Sequence, residues 1–203
     1  MKPQRLSRQQ SQEQTRERLL LAAHKLFLKN GYGEATIEDI TAEAGFTRGA
    51  FYSNFEGKPE VLLELLFRTH ESMVGGVQQI AEIKGTPEQI MGELVKYYSK
   101  LYHQKDTFLL WGEARLVAMR EPEFREKFNA MVEKDHHNLA NLISRFAGML
   151  GVSLTMSADA IALGLTSLLD GMHACPITES RENGAELAEQ VLAGFLVAVF
   201  RPN

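Results

Sequence analysis

Apolar residues recur at spacings of three and four along almost the whole chain, the period of helices with one buried face. Leu19, Ala23, Leu26 and Phe27 share such a face, with Arg16, Arg18 and Lys25 off it. They predict a first helix from about Gln14 to Lys29, closed by Gly31. The polar residues 1–12 before it read as a flexible arm. Thr36 caps a second, short helix, with Asp39 in the reciprocal capping position. Ile37, Ile40 and Ala44 form its apolar face and Gly45 stops it. Thr47 caps a third, Arg48 to Phe55, with Phe51 and Phe55 four apart on the core side.

Gly57 breaks the chain, and a fourth helix runs from Pro59 toward Ile83, with Gly75-Gly76 placed to kink or end it. Thr86-Pro87-Glu88-Gln89 combines a cap, a proline at the first helical position and a polar residue at the third. That helix reaches about His103. Others cover Thr107 to Met119, Pro122 to about Met149, and Ala158 to about His173 behind a Ser157 cap. After a polar connection at 176–182, a last helix spans about Asn183 to Phe200. No segment alternates convincingly as a strand. The expected fold is all-α: a three-helix unit over 13–57 and a six-helix bundle over 58–203.

Composition fits a packed, soluble chain: 44% of 203 residues are apolar and 24% charged. The net charge of -4 argues against nucleic acid until its distribution is seen. Residues 1–29 carry seven basic and two acidic side chains, whereas 30–203 carry 15 and 24. A basic end on an acidic body suggests that one part meets an anion, although a solvated basic tail fits the same count. Cys175 is the only cysteine, so neither an internal disulfide nor a thiolate metal cluster is expected. No apolar run approaches the ~20 residues that span a bilayer, and the N-terminus lacks a signal-peptide core. A cytoplasmic protein without membrane contact is expected.

The second and third helices are joined by only Ala44-Gly45-Phe46-Thr47, the spacing of a helix-turn-helix. An ordinary helical hairpin has the same outline. The second helix of this pair, however, presents Thr47, Arg48, Gly49, Ala50, Tyr52, Ser53 and Asn54, all small or hydrogen-bonding. No carboxylate occurs from Thr47 to Phe55, as a surface approaching phosphates requires.

The stretch GYGEATIEDITAEAGFTRGAFYSNFEGKPEVLLELL resembles the DNA-binding segment of tetracycline-repressor-like (TetR) bacterial transcriptional regulators. Gly31, Tyr32, Thr36, Ile40, Ala44, Gly45, Thr47, Gly49, Tyr52, Phe55, Lys58 and Leu62 carry the likeness, over about residues 15–65. Thr41 stands where an alanine is usual, and Pro59 where an acidic or polar residue is usual. The resemblance implies a homodimer with two reading heads and a larger body that senses a small molecule and dimerises. It implies repression of transcription, relieved when an effector spreads the heads. It also implies phosphate contacts by Thr36, Tyr52 and Lys58.

Physical chemistry assigns further roles on the DNA side. The Thr36 hydroxyl and the free amides behind it form a phosphate site, or a plain cap. Thr47 is similar. Arg48 is the candidate base reader, because a guanidinium pairs with both guanine O6 and N7; a phosphate contact is its alternative. Gly49 lets the backbone come close to the groove. Tyr52 is a phosphate contact or a half-buried aromatic, and Ser53 and Asn54 are candidate base or sugar-phosphate contacts. Arg5 and Arg8 either reach the duplex or lie in a solvated tail.

In the body, Phe108, Trp111, Arg115 and Met119 recur at helical spacing where a plain bundle would carry Leu and Ala. Tyr98, Tyr102, Phe108, Trp111 and Arg115 are the candidate ligand-binding residues, an apolar lining with a few polar anchors; bundle core and surface charge fit equally. Glu113 lies beside them, so the effector's charge stays open. Ala160, Ile161, Gly164, Leu165, Leu168 and Met172 form one smooth face, and Ala188, Val191, Leu192, Phe195, Leu196 and Val199 another. They are the expected four-helix dimer interface. No catalytic group, metal site or cofactor is expected. His136-His137 point to different faces, and His173 and Cys175 are misaligned for thiol catalysis. The expected partners are double-stranded operator DNA, a small-molecule effector and a second copy of the chain. A regulator without an effector, or an all-helical protein-interaction module, are the alternatives.

Overall fold

The computed structural model describes residues 7–175 and 183–202. They contain nine α-helices and one short pair of strands. Contacts group the chain into two compact units. One runs through Arg68 and takes in Leu109–Phe128; the other comprises Thr69–Phe108 and the chain from Asn129 onward. This grouping differs from a division at residue 57, because the first turns of the fourth helix belong with the three helices before it.

In the first unit, α1 (Arg8–Asn30) begins well before the expected Gln14. Ser7 is its cap: its hydroxyl accepts the Gln10 N–H at 3.1 Å, and the Gln10 side chain accepts the Ser7 N–H at 2.9 Å. Apolar periodicity cannot detect a helical turn made wholly of polar residues. The expected arm is therefore helical from Arg8, while Arg5 lies outside the described residues. α2 (Ile37–Ala44) has the expected Thr36–Asp39 capping box and ends on Gly45 at φ 73°, a left-handed conformation suited to glycine. α3 (Arg48–Tyr52) starts at the Thr47 cap and is shorter than expected.

Leu19, Ala23, Phe27, Ile40, Phe51 and Leu62 are essentially fully buried. They bring α1, α2, α3 and the start of the fourth helix onto one apolar centre. α4 (Lys58–Ala81) enters this unit through an ionic network. The Arg16 guanidinium donates to the Asn54 carbonyl, pairs with Glu64 and lies 4.1 Å over the Phe55 ring. Arg68 pairs with Glu17 at 2.5 Å and with Glu64 at 2.8 Å. These contacts hold the start of α4 to α1 and to the end of the helix-turn-helix.

The second unit contains α5 (Pro87–Tyr102), α8 (Ala158–Ala174), α9 (Gly184–Val199), and parts of α4, α6 (Lys105–Arg120) and α7 (Pro122–Leu150). α4 continues through Gly75-Gly76 without ending. Gly76 serves packing there, since a Cβ would overlap the Tyr97 ring, whose hydroxyl donates to the Met73 carbonyl at 2.7 Å. Two strands were not expected. β1 (Val152–Leu154) pairs antiparallel with β2 (Phe200–Pro202), Leu154 facing Phe200. Three residues are too few to show an alternating pattern in sequence. The connection at 176–182 lies outside the described residues.

The core of this unit draws Ile90, Leu94, Ile143, Phe146, Leu165 and Leu192 from four helices. That core corrects the expected dimer faces. Ile161, Leu165, Met172, Ala188, Leu192, Leu196 and Val199 are buried inside the single subunit. Gly164 lies against Phe195, where a Cβ would come within 3.0 Å of the ring. Of the expected faces Ala160 and Val191 stay exposed, Val191 at 42%, and beside them Leu163 and Val197 are exposed at 60% and 64%, with Gly171 and Gly194. Periodicity selects the most apolar stripe of a helix, and the subunit's own core uses that stripe first.

Candidate functional site

The expected DNA-side residues gather on the helix-turn-helix. Thr47 is itself extended and turns the chain into α3, its hydroxyl accepting the Ala50 N–H at 3.3 Å. Thr47, Arg48 and Gly49 are exposed, and so are Tyr52 and Ser53. A Cβ on Gly49 would meet nothing closer than the Thr47 hydroxyl at 3.7 Å. The fold therefore does not require glycine there.

Arg48 is held on both sides. Its guanidinium pairs with Glu38 of α2 at 2.5 Å and donates a long hydrogen bond to the Tyr52 hydroxyl at 3.4 Å. Glu38 is a functional neighbour that the sequence reading overlooked, because its partner lies on another helix. Thr36 accepts the Asp39 N–H at 3.1 Å and gives its own hydroxyl proton to the Asp39 carboxylate at 2.5 Å. That hydroxyl hydrogen bond holds the Asp39 carboxyl below its usual range. The Thr36 hydroxyl proton is thus already used, and a phosphate at this helix end would meet the remaining amides.

Three other residues carry structural duties as well. Ser53 donates to the Gly49 carbonyl at 2.8 Å. Asn54 is half-buried and donates to the Ala50 carbonyl at 2.8 Å, and its Oδ1 has no partner. The Lys58 ammonium donates to the Ala35 and Tyr32 carbonyls at 2.7 and 2.8 Å, and lies 4.6 Å from the Tyr32 ring centre. Burial lowers its pKa. In this form Lys58 ties the start of α4 to the loop after α1. An open polar cleft of about 250 Å³, lined by Gln9, Gln12, Glu13, Arg16, Ser53 and Asn54, adjoins the end of α3. Gln9 and Gln12 escaped the sequence reading because the helix that carries them was taken to begin later.

The expected ligand residues divide between the two units. Trp111 packs on Phe128 with ring centres 5.8 Å apart, and the Arg115 guanidinium lies 6.0 Å from the Trp111 ring centre. In the other unit Tyr98 is part of the apolar core, while Phe108 stacks on His173 at 4.8 Å and Tyr102 packs against it at 4.9 Å with its ring tilted by 46°. Among the described residues no group of three or more metal-ligating side chains occurs. Nor is any helix among them long and apolar enough to cross a membrane.

Residues 19–65 match the family of bacterial regulatory proteins, tetR family. The chain is 46% identical over 195 residues to the HTH-type transcriptional regulator SrpR of Pseudomonas putida, covering 94% of this chain and 87% of that protein. It is 42% identical to the HTH-type transcriptional repressor BepR of Brucella suis, over 90% of this chain and 79% of the relative. The chain belongs to the TetR family. Solved structures share its fold: a TetR transcription regulator from Haloarcula marismortui superposes with a TM-score of 0.72 at 20% identity, covering 93% of this chain and 99% of that one. A transcriptional regulator from Saccharomonospora viridis in complex with choline gives 0.73 at 23% identity, over 94% and 100%.

This TetR-family chain is a DNA-binding transcriptional regulator, and its relatives are named as regulators. The family match begins at Leu19 and ends at Leu65, so Gln9, Gln12 and the whole second unit lie beyond it. His173 was weighed in sequence only as a neighbour of Cys175. Its stacking partners are 65 and more residues away, beyond what local spacing can reveal.

Proposed function

We propose that this protein acts as a homodimer, laying α3 of each subunit into the major groove of an inverted-repeat operator and repressing transcription until a small molecule releases it. The carrying observation is the exposed face of α3: Thr47, Arg48, Tyr52 and Ser53 around a glycine that the fold does not need. Such a face admits close backbone approach and offers a guanidinium for guanine. Thr36, Lys58 and Asn54 contribute by holding this face in place, with phosphate contacts as their second role. Dimerisation is supported by the exposed Leu163, Val191 and Val197 beside small residues on α8 and α9. The relative BepR is named a repressor, which favours that direction of control.

Effector sensing belongs to the second unit in this reading, with Tyr102 and Phe108 as ligand contacts and Tyr98 shaping the core behind them. Trp111 and Arg115 are grouped with the other unit, where Arg115 contacts Trp111 and Trp111 contacts Phe128. The test is selection of a duplex from a random pool, followed by anisotropy titrations with and without candidate compounds. An inverted repeat bound two chains per duplex, and loosened by a compound, is the expected result. A selected site without symmetry contradicts the dimer. Operator binding indifferent to every compound favours a regulator driven by its own concentration.

A further inference from the structure

His173 sits in the last turn of α8 with its imidazole stacked nearly parallel on Phe108, at 4.8 Å and 10°, and against Tyr102 at 4.9 Å. Its Nδ1 lies 2.8 Å from the Leu169 carbonyl oxygen. A carbonyl only accepts, so Nδ1 carries the hydrogen in this contact. In the neutral ring, Nε2 is then left with a lone pair and no hydrogen. That atom is buried and has no hydrogen-bond partner. A buried acceptor left unpaired costs free energy, and the aromatic surroundings favour a flat, apolar occupant.

We propose that His173 Nε2 is the polar anchor of a ligand site for planar aromatic molecules bearing a hydroxyl or N–H donor, with Phe108 and Tyr102 supplying the apolar contact. A phenolic hydroxyl suits it best. Phenol holds its proton well above the imidazole range, so a neutral O–H···N bond forms without proton transfer. A ligand offering only an acceptor leaves Nε2 unpaired. This selectivity rests on the reading of the second unit as the effector-sensing part.

The test uses the full chain, labelled with 15N-histidine, and two probes: 2-naphthol and its donor-free analogue 2-methylnaphthalene. Long-range proton–nitrogen spectra identify which ring nitrogen carries hydrogen. The proposal expects an Nδ1–H tautomer at rest and an Nε2 resonance that moves on adding 2-naphthol but not 2-methylnaphthalene. It also expects about tenfold tighter binding of 2-naphthol, the value of one well-made hydrogen bond. His173→Phe keeps the stacking and removes the acceptor, so the two probes should then bind alike.

Equal affinities in the parent, no binding of either probe, or an Nε2 already hydrogen-bonded at rest would each overturn the proposal. The parent spectra decide it even if His173→Phe unfolds. Operator titrations run on the same samples separate the two readings. If 2-naphthol moves Nε2 and leaves operator affinity unchanged, the anchor stands and effector control from this site falls. If another compound releases the operator and 2-naphthol leaves Nε2 unmoved, effector control stands and the anchor falls.

Discussion

The unit that carries the helix-turn-helix and the second unit differ in how far their interior polar atoms are satisfied. In the first, Arg16, Arg48, Lys58 and Arg68 all have named partners, Thr47, Arg48, Gly49, Tyr52 and Ser53 are exposed, and one interior atom, Asn54 Oδ1, lacks a partner. In the second unit, His70, Asp135 and His173 are half-buried, with interior atoms that lack hydrogen-bond partners. His70 and Asp135 approach to 2.9 Å, but without hydrogen-bond alignment and with Asp135 Oδ2 left over. A surface that meets a large rigid polyanion can be finished in advance. Three of the four buried side-chain atoms without a partner among the described residues lie in the second unit, the one proposed to sense a small molecule.

The largest effect that would break this comparison is at Gly49. Gly49→Val should reduce operator affinity about 100-fold or more, while thermal unfolding moves little because the new side chain meets only the Thr47 hydroxyl. A folded variant with parental affinity would remove α3 from the groove. Lys58→Met comes next. Losing the ammonium bonds to two loop carbonyls should destabilise the head by about 1–3 kcal/mol, lowering Tm by several degrees in a scan. If Tm holds and only DNA binding falls, Lys58 is a phosphate contact first and a tie second.

Glu38→Gln sharpens the account of Arg48. It frees the guanidinium from a solvent-exposed ion pair, so duplex affinity should rise by no more than a few-fold at low salt. An unchanged affinity would show that Glu38 neither competes for nor positions Arg48. The smallest effect concerns acid. The hydrogen bond from Arg68 holds the Glu17 carboxyl below its ordinary value of 4.5. A lowered carboxyl pKa adds stability above the ordinary value, and that stability is lost as pH falls through the lowered one. Because the pair is partly exposed, unfolding midpoints of parent and Glu17→Gln should differ by only a few tenths of a kcal/mol at pH 7 and converge on acidification. A constant gap across pH would assign the effect to packing.

Legibility in the sequence follows the range of the interactions. Thr36, Thr47 and Thr86 are local caps, and each starts the helix it was expected to start. The Ser7–Gln10 box is equally local, but without an apolar stripe behind it the turn reads as an arm. Ion pairs such as Arg48–Glu38 and Arg16–Glu64 join residues on different helices, which spacing along one helix cannot anticipate. The apolar stripes of α8 and α9 were visible, yet periodicity does not say whether a stripe faces the subunit's core or a second copy. Leu163 and Val197, outside the predicted stripes, and Val191, on one of them, are the exposed large apolar positions of these two helices.

The central claim is that two copies of the α3 face read one inverted repeat through phosphate-rich contacts. Its most direct test is an anisotropy titration of the selected duplex and of a single half-site, repeated over a range of salt. With about three phosphate contacts per head, the intact repeat should give a log-log slope near -5, and the half-site about half that slope with far weaker binding. Equal affinities for the two duplexes, or a slope near zero with specific binding intact, would contradict the account.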